Sequence, residues 1–211
     1  MSRATTAMDE EWQQCCQAII RAGHFLNQRG WVPATSSNFS MRLSSGQFAI
    51  TASGYHKGAL EPEAVMRVDA DGKPLEARKP SAETLLHTAL YKRFPDVGVV
   101  LHTHSVQATV LSRLHQTQLL FEDYELLKAF RGVDTHNTKI AIPIFPNDQD
   151  IQRLSAHIDR WMDAHPEVPG YLIAGHGLYT WGRDMPEALR HVEAFEFLFE
   201  CELTTLRVKH S

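Results

Sequence analysis

Short apolar runs alternate with helix-spaced amphipathic stretches along the whole chain, and no repeat, low-complexity tract or long linker interrupts them. For a chain of 211 residues, that alternation predicts one mixed α/β domain over residues 1–211. Residues 10–29 carry Trp12, Cys16, Ile19, Ile20 and Leu26 at three-and-four spacing ahead of Gly30, the pattern of an amphipathic helix. Two runs at 39–43 and 47–51 flank Ser44-Ser45-Gly46 and predict a β-hairpin. Further strands are predicted at 65–68, 97–101, 140–145, 171–174 and 178–181. Helices are predicted at 82–94 with Ser81 as N-cap, after Ser105, at 124–130, at 148–164 and at 185–206. The expected architecture is a central mixed or antiparallel sheet covered by helices.

Composition removes several classes of function. Hydrophobic residues make up 43% of the chain and charged residues 22%, enough apolar surface for a sizeable core. Lys and Arg total 21 against 25 Asp and Glu, a formal charge of −4, so nucleic acid and anionic membranes are not expected partners, and an anionic ligand needs a local pocket. Cys15, Cys16 and Cys201 are odd in number and lack zinc-finger spacing, which points to a reduced, cytoplasmic setting. The opening Met1-Ser2-Arg3 lacks the apolar stretch of a secretory leader, and no run approaches the ~18 apolar residues of a membrane span. Histidine is in excess, with 12 residues.

Their clustering carries the chemistry. In Val99-Val100-Leu101-His102-Thr103-His104-Ser105 an apolar strand ends in two histidines two residues apart. Strand positions i and i+2 share a face about 6.5–7 Å apart, so both imidazoles can reach one ion at about 2.0–2.1 Å. His176 lies between Gly175 and Gly177 at the end of another apolar run. Three histidines leave a coordination position open, as catalytic metal sites do, and zinc, cobalt, manganese or iron suits imidazole better than magnesium or calcium. Chance is the bland alternative in a chain this rich in histidine.

Glu83 stands at a predicted helix start, where a first-turn acid is commonplace and the helix dipole favours an anion. Phe121-Glu122-Asp123-Tyr124-Glu125-Leu126-Leu127 holds three more acids, which spacing alone reads as solvated surface charge. Thr35-Ser36-Ser37-Asn38, the turn Ser53-Gly54-Tyr55-His56-Lys57 and Ser81 supply hydroxyls, backbone N–H groups and a cation suited to a phosphate, although ordinary turns look the same. His56 alone among the remaining histidines sits in such a turn.

Ser81-Ala82-Glu83, His102-Thr103-His104-Ser105 and Gly-His-Gly-Leu-Tyr-Thr-Trp-Gly from Gly175 to Gly182, in this order and spacing, resemble the class II aldolase and adducin-head family over nearly the whole chain. The resemblance implies a three-layer α/β fold with a mixed or antiparallel central sheet and one Zn²⁺ per subunit on His102, His104 and His176. It places Ser37, Asn38, Ser53, Gly54 and Ser81 where related members bind a sugar phosphate, and Glu83 where the aldolases keep an acid/base. Tyr124-Glu125-Leu126-Leu127-Lys128 matches a dehydratase branch whose glutamate donates and accepts the proton, which overturns the bland reading of Glu125. A homotetramer with sites near subunit boundaries, acting as a hydro-lyase on a small phosphorylated ketose, is therefore expected. Aldolase or 4-epimerase chemistry is the nearer alternative, and a non-catalytic adducin-like scaffold the farther one. The chain departs from the aldolase pattern at Ser37, where glycine is usual, and at Ala82, where a second serine is usual. It has no tyrosine after Tyr179, which counts against carbon–carbon cleavage.

Overall fold

In the computed structural model, which describes residues 3–209, the hairpin around Ser44-Ser45-Gly46 forms between β1 (Asn38–Arg42) and β2 (Phe48–Thr51), with Arg42 paired to Phe48. Met1 and Ser2, on which the absence of a leader was partly read, lie outside the described residues. The remaining strands are β3 (Val65–Val68), β4 (Val99–Thr103), β5 (Gln118–Glu122), β6 (Lys139–Phe145), β7 (Gly170–Ile173) and β8 (Gly177–Gly182). They make one sheet in the order β3-β2-β1-β4-β8-β7-β6-β5, antiparallel throughout except between β6 and β7. The helices are α1 (Arg3–Gln28), α2 (Thr84–Arg93), α3 (Val106–Leu114), α4 (Ile151–Asp163) and α5 (Met185–Lys209).

Strand alternation builds the layers. Phe48 and Ile50 of β2, Met66 and Val68 of β3 and Val100 of β4 join one apolar cluster with Leu86, Leu90 and Tyr91 of α2. Their neighbours Ala49, Val65, Val99 and Leu101 face the other way and join a second cluster with Cys16, Ile19 and Leu26 of α1. Leu154, Ile158 and Met162 of α4, four residues apart, lie on the α2 side. Each such side chain fully buried contributes roughly 1.5–3 kcal/mol of transfer free energy, so helices on both faces follow from the pattern. The three cysteines are free, and burial pushes the Cys15 and Cys16 thiols up to about 11.

Several boundaries differ from expectation. The strand expected at 97–101 runs Val99–Thr103, which puts His102 inside it and only His104 beyond its end. Ser81 does not cap α2, which begins at Thr84; its carbonyl instead accepts from Thr84 N–H. The stretch at 124–130 is a 3₁₀ helix, Glu125–Ala129. β5 was not predicted at all, because only Leu119 and Phe121 of its five residues turn inward on this edge strand. No helix among the described residues is long and apolar enough to cross a membrane.

Candidate active site

One rung of the sheet lies at the centre of the site. Asn38 on β1 pairs with His102 on β4, which pairs with Tyr179 on β8, which pairs with Tyr171 on β7. His102 is fully buried and stacks on the Tyr179 ring with centroids 4.0 Å apart. Its Nδ1–H donates to the Leu178 carbonyl at 2.9 Å, which fixes the tautomer and leaves the Nε2 lone pair free. His176, in the turn between β7 and β8, brings its own Nε2 within 3.3 Å of that atom. His104 follows on the same face, with its N–H held by the Trp31 carbonyl at 2.8 Å. One ligand atom from each of the three lies within 4.8 Å of the others. Gly177 permits this approach, since a Cβ there would stand 2.0 Å from the Thr103 carbonyl oxygen.

This donor set fits a divalent cation. Burial lowers His102 to about 4 and lowers His104 as well, so both are neutral ligands at physiological pH. Glu83 places Oε1 3.0 Å from His176 Nε2 and Oε2 3.4 Å from His102 Nε2. Burial works to raise its carboxyl, but the neighbouring His102 and His176 rings and hydrogen bonds from His176 and Asn38 outweigh it, and the net shift is downward. Two imidazole nitrogens and a carboxylate converge where a cation would reconcile them.

Behind Glu83 runs a buried polar chain. Asn38 Nδ2 donates to Glu83 Oε2 at 2.7 Å, Asn38 Oδ1 meets His87 Nε2, His87 Nδ1 lies 2.7 Å from Ser40 Oγ, and Ser40 Oγ lies 2.8 Å from the Tyr91 hydroxyl.

In front of Glu83 opens a cleft of about 270 Å³. Ser37, Asn38, Ser53, Gly54, Lys57 and Ser81 all line it, together with Glu83, His104 and His176, so the small polar residues converge with the histidines. Ser37 occupies the left-handed region at φ 71°, a conformation that favours glycine, and its buried hydroxyl has no partner among the described residues. Lys57 is only 1% exposed and donates to the carbonyls of Thr35 at 3.2 Å and Tyr55 at 2.7 Å. Among the described residues no carboxylate pairs with it, and desolvation lowers its pKa to about 8. The short 3₁₀ helix that carries it, Lys57–Ala59, is capped by His56, whose Nδ1 accepts from Gly58 N–H at 3.1 Å. It sits directly against Gly23 of α1, where a Cβ would approach the Lys57 carbonyl oxygen to 2.4 Å.

Lys57 gives a pH prediction. An anion bound beside it needs the ammonium form, so affinity for inorganic phosphate will fall toward tenfold per pH unit above about 8. The sign for folding is opposite: between about 8 and the unfolded lysine value the unfolded chain holds more protons, so the Lys57 contribution to stability rises with pH. Titration calorimetry with phosphate from pH 7 to 10 checks the first statement, and Lys57→Met should flatten the profile.

The sequence matches the Class II Aldolase and Adducin N-terminal domain family over residues 17–203. The chain belongs to the class II aldolase/adducin family. Within it, the methylthioribulose-1-phosphate dehydratase of Pseudomonas syringae pv. tomato is 63% identical over 193 residues, covering 90% of this chain and 95% of that protein. The Methylococcus capsulatus protein of the same name is 55% identical over 201 residues, 95% of this chain and 98% of its own. Among solved structures, YgbL from Escherichia coli superposes with a TM-score of 0.77 at 26% identity, over 90% of this chain and 88% of its own. L-Fuculose-1-phosphate aldolase from Thermus thermophilus reaches the same TM-score at 23% identity, over 95% and 99%, and bears on the fold alone.

In this class II aldolase-type chain, one expected site residue stands apart. Glu125 does not line the cleft. Its side chain is 75% exposed on the 3₁₀ helix after β5, where Lys128 Nζ pairs with it at 2.5 Å and His136 Nδ1 at 3.6 Å. Asn147, Asp148 and Gln149 line the cleft and were not anticipated. They lie in the short polar stretch between the end of β6 and the Asp150 N-cap of α4.

Proposed function

We propose that this chain dehydrates 5-methylthioribulose 1-phosphate to 2,3-diketo-5-methylthiopentyl 1-phosphate, a step of methionine salvage, as a metal-dependent hydro-lyase. The observation that carries this reading is the cleft in which His104, His176 and Glu83, with His102 buried beside them, meet the polar end formed by Ser37, Ser53, Ser81 and Lys57. Relatives at 55–63% identity bearing the dehydratase name support the choice of substrate.

His102, His104 and His176 would hold the cation, for which zinc is the first choice. When bound, it supplies Lewis-acid stabilisation for negative charge on the substrate's C2 oxygen. The chain's own groups do the rest. Lys57, with the hydroxyls and backbone N–H groups around Ser37, Ser53, Gly54 and Ser81, binds the phosphate and fixes the ketose along the cleft. A carboxylate removes the C3 proton, leaving an enediolate. The same carboxylate returns that proton to the C4 hydroxyl, which departs as water, and the remaining enol tautomerises to the diketone. General acid/base help of this kind supplies about 10²- to 10⁴-fold.

Glu125 is that carboxylate in this reading, and Glu83, anchored by Asn38, is the second acid group at the cleft floor. Because Glu125 is exposed and does not line its own chain's cleft, it serves the cleft of a neighbouring copy in a homo-oligomer. A tetramer is the proposed assembly and the cytoplasm the proposed location.

The test is to mix zinc-loaded protein with 5-methylthioribulose 1-phosphate and follow products by mass spectrometry beside a chelator-treated control. Metal-dependent loss of one water from an intact carbon chain is expected. Two shorter carbon fragments would make it an aldolase, an isomeric pentulose phosphate an epimerase, and no turnover of any ketose phosphate a scaffold.

A further inference from the structure

The buried chain behind Glu83 has only one consistent direction. Glu83 as a carboxylate can only accept, so Asn38 must turn its Nδ2 toward it and its Oδ1 away, toward His87. His87 Nε2 must then carry the proton. Nδ1 consequently accepts from Ser40, and Ser40 in turn accepts from the Tyr91 hydroxyl. His87 is 1% exposed, and burial lowers it to about 4, so the ring is neutral with one donor and one acceptor, as this direction requires. The Asn38 amide has two N–H bonds and spends one on Glu83. The other is left for the cleft that Asn38 lines.

We propose that His87 is a positioning residue: its Nε2–H locks the Asn38 amide so that one N–H holds Glu83 and the other faces a phosphate oxyanion in the cleft. Asn38 thereby ties the anion-binding end of the cleft to its carboxylate end. A flipped amide would set Oδ1 against the Glu83 carboxylate, acceptor against acceptor, and turn the Nδ2 donors onto the His87 Nε2–H, donor against donor. This inference rests on the proposed cleft chemistry for its kinetic consequence only.

Three measurements test it. In the wild-type protein, ¹⁵N-detected spectra of the imidazoles should show His87 as the neutral Nε2–H tautomer at pH 7. His87→Leu should weaken inorganic phosphate binding and lower kcat by about tenfold to a hundredfold, the range typical of losing an outer-shell partner. His87→Gln, which can still donate to Asn38 and accept from Ser40, should restore most of both. An Nδ1–H tautomer or an imidazolium in the wild type overturns the proposal, and does so even if the leucine variant fails to fold. Equal losses in the leucine and glutamine variants, or no loss in either, overturn it as well. If the wild type does not dehydrate the ketose, the function is wrong, yet phosphate affinity and the tautomer still decide the role of His87.

Discussion

His102→Ala will remove bound metal and turnover together. His102 is fully buried at the centre of the sheet, its tautomer is set by the Leu178 carbonyl, and its Nε2 lies 3.3 Å from His176 Nε2 and 3.4 Å from Glu83 Oε2. Removing it leaves two imidazoles, one short of the set that three-histidine catalytic sites use. It also leaves the Leu178 carbonyl without that partner and a cavity beside the Tyr179 ring, so some loss of stability accompanies the loss of function. Metal content by atomic emission and rate on the same preparation read the two effects, with circular dichroism as the check on folding. Turnover that persisted in a metal-free, folded variant would remove the histidine cluster from the mechanism.

Glu125→Gln should lower turnover by about 10²- to 10⁴-fold while metal content stays at the wild-type level. The more searching experiment mixes it with the first variant. If Glu125 acts on the cleft of a neighbouring copy, two inactive proteins complement each other. Glu125→Gln subunits keep the histidines, His102→Ala subunits keep the glutamate, and random 1:1 assembly pairs them correctly in about a quarter of sites in a closed symmetric oligomer. Recovery of roughly that fraction after co-refolding or co-expression is expected. A mixture as inactive as its components would exclude action on a neighbouring cleft and tie Glu125 to the histidines of its own chain, whereas near-normal turnover in Glu125→Gln alone would remove it from the mechanism and leave Glu83 as the acid/base.

Much of the site was readable from residue order because its metal-binding part is local and periodic. His102 and His104 share a strand face by the two-residue period, and His176 announces itself between two glycines, one of which packs within van der Waals reach of Thr103. Ser37, Ser53, Lys57 and Ser81 look like turn residues anywhere. Only the resemblance to a family joined them in the sequence, and only the pairing of β1, β2 and β4 gathers them in space. His87 escaped notice because a histidine inside a helix carries no local signature, and its partners Asn38 and Ser40 are 49 and 47 residues away. Asn147 to Gln149 escaped because a polar stretch ahead of the Asp150 N-cap is what any helix start looks like. The unpredicted β5 shows the limit of periodicity on an edge strand with two inward residues.

The rung Asn38–His102–Tyr179 also determines what kinds of change these strands can absorb during evolution. Side chains alternate between faces, so inserting or deleting one residue within β1, β4 or β8 carries every later position of that strand to the opposite face. An imidazole would then point toward α1 and an apolar residue toward the cleft, even though composition and overall hydrophobicity hardly change. Exchanging residues one for one leaves this geometry alone, whereas a two-residue insertion keeps the faces but slides His102 two positions out of register with Asn38 and Tyr179. Descendants of this chain can therefore exchange apolar residues along the central strands around a fixed rung, while length differences collect in turns such as Ser44-Ser45-Gly46, where an added residue loops into solvent and leaves the rung in step.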